Sequence, residues 1–206
     1  MRLLRANVVE AVHASRINAK IRLRKGVKGI LTCQLWLHKC VSIINRSIEN
    51  YYTWYSNCIT YDILLIFPQL FDEFKYQILP NLCFKGALYD LIQIHDRFVW
   101  SPYDVRSFTN KAFQYACCQG HLDVANWLYT VFHLTIKDVR SMDNMAFRFA
   151  CEYGRLNVAK WLYTVFQLTV ADVRSENNDA FRCAYRMGHQ DVCDWLVATF
   201  GESVIA

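Results

Sequence analysis

The sequence predicts an all-α protein, a helical repeat solenoid preceded by a helical N-terminal region. The first observation is a repeat, because the tripeptide Asp-Val-Arg begins at residues 104, 138 and 172, a spacing of 34 residues both times. The second is that each copy shows the apolar periodicity of two helices. The third is composition, since 206 residues include only 7 Gly and 3 Pro, too few for the many tight turns of a β-protein.

The 34-residue register holds along most of each unit. Residues 104–137 and 138–171 are identical at 21 of 34 positions, and residues 138–167 and 172–201 at 14 of 30. Such agreement at one fixed period indicates a repeat architecture. The recurrent residues include Asn110, Asn144 and Asn178; Phe113, Phe147 and Phe181; Gly120, Gly154 and Gly188; and Trp127, Trp161 and Trp195.

Domain boundaries follow from this register. Stepping back 34 residues from Gly120 reaches Gly86, and from Cys117 reaches Cys83, so a degenerate unit that lacks the Trp precedes the others. The N-terminal region is basic and then aromatic, and we expect it to form a helical cap over the first unit, because the end of a solenoid otherwise exposes apolar surface. The N-terminal region, the degenerate unit, two full units and a truncated C-terminal unit are residues 1–67, 68–103, 104–137, 138–171 and 172–206.

Within a unit, we expect two helices followed by a short third one. Asn144 is expected to be the N-cap of the first helix, and Gly154 to end that helix in a left-handed conformation. The second helix covers residues 156–166, which are apolar on most sides, and its Trp should wedge between neighbouring units. Thr169 lies three residues before Asp172, a capping-box spacing that predicts a helix of one or two turns carrying the sequence DVRS.

Two segments carry a resemblance to a known family. The sequences ACCQGHLDVANWL from residue 116 and ACEYGRLNVAKWL from residue 150 resemble the ankyrin pattern A-A-x-x-G-H-L-x-V-V-x-L-L. The usual TPLH is replaced by KAFQ, MAFR and DAFR, and the β-hairpin loop by LTxxDVRS. Over about residues 68–201 the chain therefore resembles the divergent 34-residue ankyrin repeats common in large DNA viruses of protists. The resemblance implies an ankyrin-like solenoid that serves as a scaffold for protein–protein interaction.

Tetratricopeptide repeats are the structural alternative, because they share the 34-residue period. Their pattern places a Trp early in the first helix, ahead of the Gly. Here the Trp follows the Gly by seven residues and lies in the second helix. The ankyrin-like architecture is therefore favoured.

The net charge of +5 conceals an uneven distribution. Residues 1–50 hold ten Lys and Arg and two acidic residues, a net charge of +8, whereas residues 51–206 hold thirteen and sixteen, a net charge of −3. Nucleic-acid or anionic-membrane binding is therefore assigned to residues 1–28. An organelle transit peptide also suits this segment, but a solvated basic helix is favoured. The most apolar stretch, residues 30–44, is shorter than the roughly 20 residues that span a bilayer.

No motif in the sequence points to catalysis, a cofactor or a metal. The nine cysteines contain no CxxC motif, which favours free buried thiols in a reducing, cytoplasmic compartment. Cys83, Cys117 and Cys151 share one register, but packed helices lie about 10 Å apart, and zinc ligands lie about 2.3 Å from the ion. His121 and His189 follow the unit glycines and are expected to be structural. We therefore expect a non-enzymatic protein without catalytic residues, cofactor or metal.

Each Asp of the DVR tripeptide is followed by an Arg two residues later. Structural Asp–Arg pairs between neighbouring units are the favoured interpretation, each worth only ~0.2–1 kcal/mol if exposed. The alternative is that the arginines bind an anionic partner. These arginines are Arg106, Arg140 and Arg174.

Residues that differ between otherwise similar units mark the predicted binding surface. They lie about one turn apart on the exposed side of the first helix, and solenoids bind partners through such stripes; neutral drift of surface residues is the competing explanation. We expect a partner protein to bind there, a host protein in the case of a viral chain, and the chain to be a monomer. Binding through residues 1–28 is the alternative function. The variable stripe consists of Phe108, Lys111, Gln114, Cys118, Met142, Met145, Arg148, Glu152, Glu176, Asp179, Arg182 and Arg186.

Overall fold

The computed structural model describes Leu64 and residues 68–204. These residues form ten α-helices and one short 3-10 helix, and contain no strand, which confirms the all-α prediction for this part of the chain. The predicted N-terminal region 1–67, including the basic segment 1–28, lies outside the described residues except for Leu64, which is helical and fully buried. No helix in the described part is long and apolar enough to cross a membrane.

Helices of 11 residues recur at a spacing of 34 residues, beginning at Leu88, Leu122, Leu156 and Gln190. Their bounds are α1 Gln69–Lys85, α2 Leu88–Phe98, α3 Pro102–Gln119, α4 Leu122–Phe132, α5 Ile136–Val139, α6 Ser141–Glu152, α7 Leu156–Phe166, α8 Val170–Val173, α9 Ser175–Arg186 and α10 Gln190–Phe200, followed by the 3-10 helix Glu202–Val204. The first helices of successive units lie side by side, since α1 packs on α3, α3 on α6, and α6 on α9.

Small side chains allow these first helices to approach closely. Six alanines at two recurrent positions are all at most 1% exposed. Burial of such positions contributes little area per residue, but it lets the larger neighbours interdigitate without cavities. The alanines are Ala112, Ala116, Ala146, Ala150, Ala180 and Ala184.

Capping boxes begin the short helices, as predicted. Thr169 Oγ1 accepts from the backbone N–H of Asp172 at 3.4 Å, and the Asp172 carboxylate accepts from the backbone N–H of Thr169 at 2.9 Å. Thr135 with Asp138 forms the same box one unit earlier, and Ser101 with Asp104 forms it two units earlier, at the start of α3, with Pro102 at the first helical position. The reciprocal bonds satisfy two of the N–H groups that a helix start leaves unpaired.

The prediction that Asn144 caps the first helix is wrong. Asn144 has φ 58° and is the last of three consecutive left-handed residues, and its buried side-chain oxygen accepts no hydrogen bond from the described residues. The same turn recurs at residues 108–110 and 176–178, with φ between 49° and 63°. Each such non-glycine residue costs roughly 1–2 kcal/mol. We call these three segments the left-handed turns.

Glycines end the first helices in the left-handed conformation, as predicted. A basic side chain of the next unit packs directly against Gly86, Gly120 and Gly154. Gly154 has φ +66°, and a Cβ there would lie 2.5 Å from His189 Nδ1. Likewise His121 Nε2 lies 3.2 Å from the Phe84 carbonyl oxygen of the preceding unit. The predicted structural role of His121 is therefore observed.

The Trp residues contact the preceding unit. Trp161 lies 6.3 Å from Phe113 and 6.0 Å from Tyr129, measured between ring centroids. Trp195 makes the same contacts one unit later, with Phe147 and Tyr163. The Trp–Tyr pairs are edge-to-face and the Trp–Phe pairs are tilted, and aromatic pairs add roughly 0.5–1.5 kcal/mol beyond burial. These two Trp side chains are half-buried, so they act as wedges at the rim of the core.

The described cysteines are free and buried. Burial raises the pKa of the Cys117 thiol well above its ordinary value, so this thiol is neutral and unreactive. No group of three or more His, Cys, Asp or Glu among the described residues could hold a metal ion. The free thiols are Cys83, Cys117, Cys118, Cys151, Cys183 and Cys193.

Candidate partner-binding surface

Two-pronged Arg–Asp pairs join neighbouring units at one edge of the structure. Arg106 donates from Nε and Nη2 to the two carboxylate oxygens of Asp138, at 2.8 and 3.2 Å. Arg140 grips Asp172 in the same way, at 2.7 and 3.0 Å. Bidentate charge-assisted hydrogen bonds are stronger than neutral ones, and they fix the relative orientation of the guanidinium and the carboxylate. The favoured structural interpretation of these two arginines is therefore confirmed.

The carboxylates in these pairs have lowered pKa values. Arg140 lowers the pKa of Asp172 to about 2, a shift opposed by burial and reinforced by the bonds from Thr169. For Asp138, burial favours the neutral acid, but hydrogen bonds from Arg106 and Thr135 outweigh it and lower the pKa. Each carboxylate therefore stays ionised while it caps its own helix and binds the previous unit.

The two ends of this row differ from its middle. At the upstream end Lys75 replaces the arginine, and its ammonium lies 3.1 Å from Asp104. At the downstream end Arg174 is exposed, and its guanidinium makes no hydrogen bond or ion pair with any described residue. Its alternative role as an anion-binding group therefore stays open, unlike that of Arg106 and Arg140.

The left-handed turns present one side chain of the variable stripe from each unit. Phe108 is 62% exposed and Met142 49% exposed, and Glu176 at the same register is exposed as well. All three have φ between 49° and 54°. The backbone conformation is thus the same in each unit while the side chain changes from aromatic to thioether to carboxylate.

Two predicted stripe residues are not accessible. Gln114 is 6% exposed and donates its amide to the Thr109 carbonyl oxygen at 2.7 Å. Cys118 is also 6% exposed, and its carbonyl oxygen accepts from Arg155 Nε of the next unit at 3.1 Å. The periodicity of a single helix placed both on the outside, but Gln114 is buried against its own left-handed turn and Cys118 is bound by Arg155 of the next unit.

Arg148 is a structural residue rather than a free one. Its guanidinium donates to Asp179 of the next unit at 2.9 Å, and the side chains are only 15% and 23% exposed. A second bond runs from Arg148 Nη2 to the Met142 carbonyl oxygen at 3.4 Å, which ties the helix to its left-handed turn. Met145 and Glu152 are half-buried beside it.

The remaining stripe residues are exposed. The Lys111 ammonium lies 5.3 Å from the centroid of the Tyr115 ring. Arg182 is 59% exposed and donates to the Asn177 carbonyl oxygen at 3.2 Å. Arg186 is exposed, with one bond to the Cys183 sulfur at 3.2 Å. The accessible part of the variable stripe is therefore Phe108, Lys111, Met142, Glu176, Arg182 and Arg186.

Sequence reasoning missed two exposed residues of the last unit. Tyr185 is 68% exposed and Met187 52% exposed. A signal for Tyr185 was present in the register, since it occupies the position of Cys117 and Cys151, whose thiols are fully buried.

Comparison with protein-family models, with curated proteins and with solved structures finds no match to this chain.

Proposed function

We propose that the chain is an ankyrin-like repeat scaffold that binds a partner protein along the exposed part of the variable stripe. The observation that carries the proposal is the row formed by Phe108, Met142 and Glu176. Phe108 and Met142 are 62% and 49% exposed at strained backbone positions, although the Phe108 ring also lies 6.3 Å from the Tyr76 ring, and strain of this kind concentrates at functional sites. Recurrent glycine-ended helix pairs with unit-to-unit Arg–Asp contacts support the ankyrin-like architecture.

Chemical variation at fixed geometry suits recognition. The three left-handed turns place an aromatic ring, a flexible thioether and a carboxylate in one row. Aromatic and Met side chains are enriched in the buried centres of protein interfaces. A partner segment lying along the row would meet a different chemistry at each unit, which gives direction and register to its binding.

The compartment is part of the same proposal. Six free thiols lie buried in the described residues, without a disulfide among them. Thiols persist in this form in reducing compartments, so we assign the chain to the cytoplasm. A pull-down partner is accordingly sought in the cytosolic fraction.

The test is a pull-down from nuclease-treated cell lysate with the full chain, followed by binding measurements on the recovered partner. The double variant Phe108→Ser, Met142→Ser removes the two exposed apolar side chains of the row. Its control is Tyr89→Ser, Tyr103→Ser, which removes two exposed rings, 72% and 75% accessible, from outside the stripe. We expect the first pair to lose the partner and the second to keep it. Equal capture by both would refute the stripe as the binding surface.

A second candidate function rests on the net charge of +8 in residues 1–50. Such a segment would bind nucleic acid or an anionic membrane through phosphate contacts, with affinity that falls steeply as salt rises. Deleting residues 1–28 should abolish that binding. Retention in the deletion variant would exclude this function.

A further inference from the structure

The outer side of the last unit is an interface without an occupant among the described residues. We call it the terminal face, and it consists of Arg174, Phe181, Arg182, Tyr185, Arg186 and Met187. In the two preceding units, the residues equivalent to Phe181, Arg182, Tyr185 and Arg186 are buried or half-buried, whereas Tyr153, at the register of Met187, is 42% exposed. Comparing equivalent positions therefore shows what the terminal face is equipped to bind.

Among the described residues, no carboxylate lies beside the Arg174 guanidinium. The equivalent side chains of Arg106 and Arg140 each donate two hydrogen bonds to an Asp carboxylate. That carboxylate belongs to the capping box of a helix in the following unit. Arg174 lies at the same register, exposed, and no described residue supplies an acceptor. The site thus retains the donor half of a contact that the structure makes twice elsewhere.

The described residues also leave Phe181 without the aromatic cover that its equivalents have. Phe113 and Phe147 are fully buried under the Trp of the next unit, whereas Phe181 is only half-buried. Gly154 receives the His189 ring of the next unit, but a Cβ added at Gly188 would meet nothing within 4 Å. Both the charged part of the terminal face, at Arg174, and its apolar part, at Phe181, therefore lack the contacts that their equivalents make.

The terminal face is not a copy of the inner interfaces. The thiols of Cys117 and Cys151 are fully buried between units, and at the same register Tyr185 stands 68% exposed, with its ring 6.3 Å from Phe181 and nearly parallel to it. A further unit packed in the same way would meet this phenol ring where the inner interfaces hold a thiol. The terminal face therefore differs in chemistry from the two inner interfaces.

We infer that the terminal face binds an acidic segment of the partner protein, with a carboxylate on Arg174 and an apolar side chain on the Phe181–Tyr185 ring pair. The inference rests on the proposed binding function and specifies where and by what chemistry the partner is held. Charge complementarity selects the occupant, because Arg174, Arg182 and Arg186 are all exposed here. An arginine fork matches a planar carboxylate.

The same charges disfavour the other occupants. Two copies of this chain meeting through their terminal faces would bring three arginines of each copy together. A nucleic-acid strand would supply anions for the arginines, but Glu176 and Asp179 lie on the same helix and would repel its phosphates. An acidic peptide can place its carboxylates on the arginines and its apolar residues elsewhere.

The test selects a random 16-residue peptide library on the immobilised full chain and measures the recovered peptides by fluorescence anisotropy. We expect net acidic peptides with at least one apolar residue. Arg174→Gln and Tyr185→Ser should each weaken them roughly tenfold or more, the range for a hydrogen bond to a charged group or a central aromatic contact. The matched controls are Arg97→Gln and Tyr103→Ser, which change an exposed arginine and an exposed tyrosine outside the terminal face and should leave affinity unchanged.

Several outcomes would overturn the inference. Peptides that lose affinity in the Phe108→Ser, Met142→Ser variant but not in Arg174→Gln would remove the terminal face and leave the proposed function intact. Selection of basic peptides, or of none, would contradict the acidic ligand, while the pull-down tests the proposed function independently. An oligo(dT) probe that binds the chain and loses affinity in Arg174→Gln would assign the face to single-stranded nucleic acid. A concentration-dependent dimer abolished by Tyr185→Ser would assign it to a second copy.

Discussion

Replacing Asp172 by Asn should destabilise the protein at neutral pH and much less in acid. Asp172 is 6% exposed, and its pKa falls from 3.8 to about 2 on folding. A shift of that size corresponds to about 2 kcal/mol of stability supplied by the ionised carboxylate. Because the folded-state pKa is the lower one, this contribution is complete above pH 3.8 and is lost as pH falls towards 2.

Urea unfolding followed by Trp fluorescence measures the difference. At pH 7, Asp172→Asn should lower the free energy of unfolding by about 2 kcal/mol, and at pH 3 by about half as much, since the unfolded wild-type chain then binds protons. Asp191→Asn is the control, an exposed acid in the first turn of α10, with an expected change within about 0.5 kcal/mol. A loss at pH 7 no larger than that of the control, or one that is the same at pH 3, would refute the reasoning.

Three further predictions address other contacts. Burial lowers the pKa of His95, and the charge of Asp96 opposes this shift. The contribution of neutral His95 to stability is therefore complete above pH 6.5 and falls on acidification. An NMR titration of His95 should give a midpoint below 6.5, and a higher midpoint would contradict its burial. Trp161→Ala should cost about 3 kcal/mol in urea unfolding, the lower end for Trp because the ring is half-buried, and a neutral result would exclude its role as a wedge. Gly188→Ala should destabilise the protein by roughly 1–2 kcal/mol through the left-handed backbone alone. Gly154→Ala should lower the melting temperature more than Gly188→Ala does, because its new Cβ meets the His189 ring. Equal melting temperatures of the two variants would show that the ring moves away freely.

Much of the helical pattern could be predicted because it depends on local chemistry. The spacing of Thr169 and Asp172 specifies a capping box, and Gly154 specifies a left-handed helix end, and both are present. The pairing of Arg140 with Asp172 followed from a repeated spacing of charges. Each of these depends on residues whose preferred geometry belongs to one turn or one repeat of the chain.

The candidate site was harder to predict because exposure depends on the neighbouring unit. Gln114, Arg148 and Arg182 share a register, yet they are 6%, 15% and 59% exposed, and Arg148 owes its burial to a bond with Asp179 of the following unit. The left-handed turns escaped prediction for another reason. Asn144 suits both a helix N-cap and a left-handed residue, so its identity alone does not distinguish the two.

Asp138 and Asp172 each cap a helix of their own unit and bind an arginine of the previous unit. These two roles link the folding of one unit to the packing of the previous unit against it. When Asp172 leaves its capping box, the start of α8 and the grip of Arg140 are lost in the same event. Units joined in this way resist opening in the middle of the row, where two such links must break. Opening should therefore begin at the last described unit, because no described residue accepts a hydrogen bond from the Arg174 guanidinium, and amide hydrogen exchange should slow progressively from α9 towards α3.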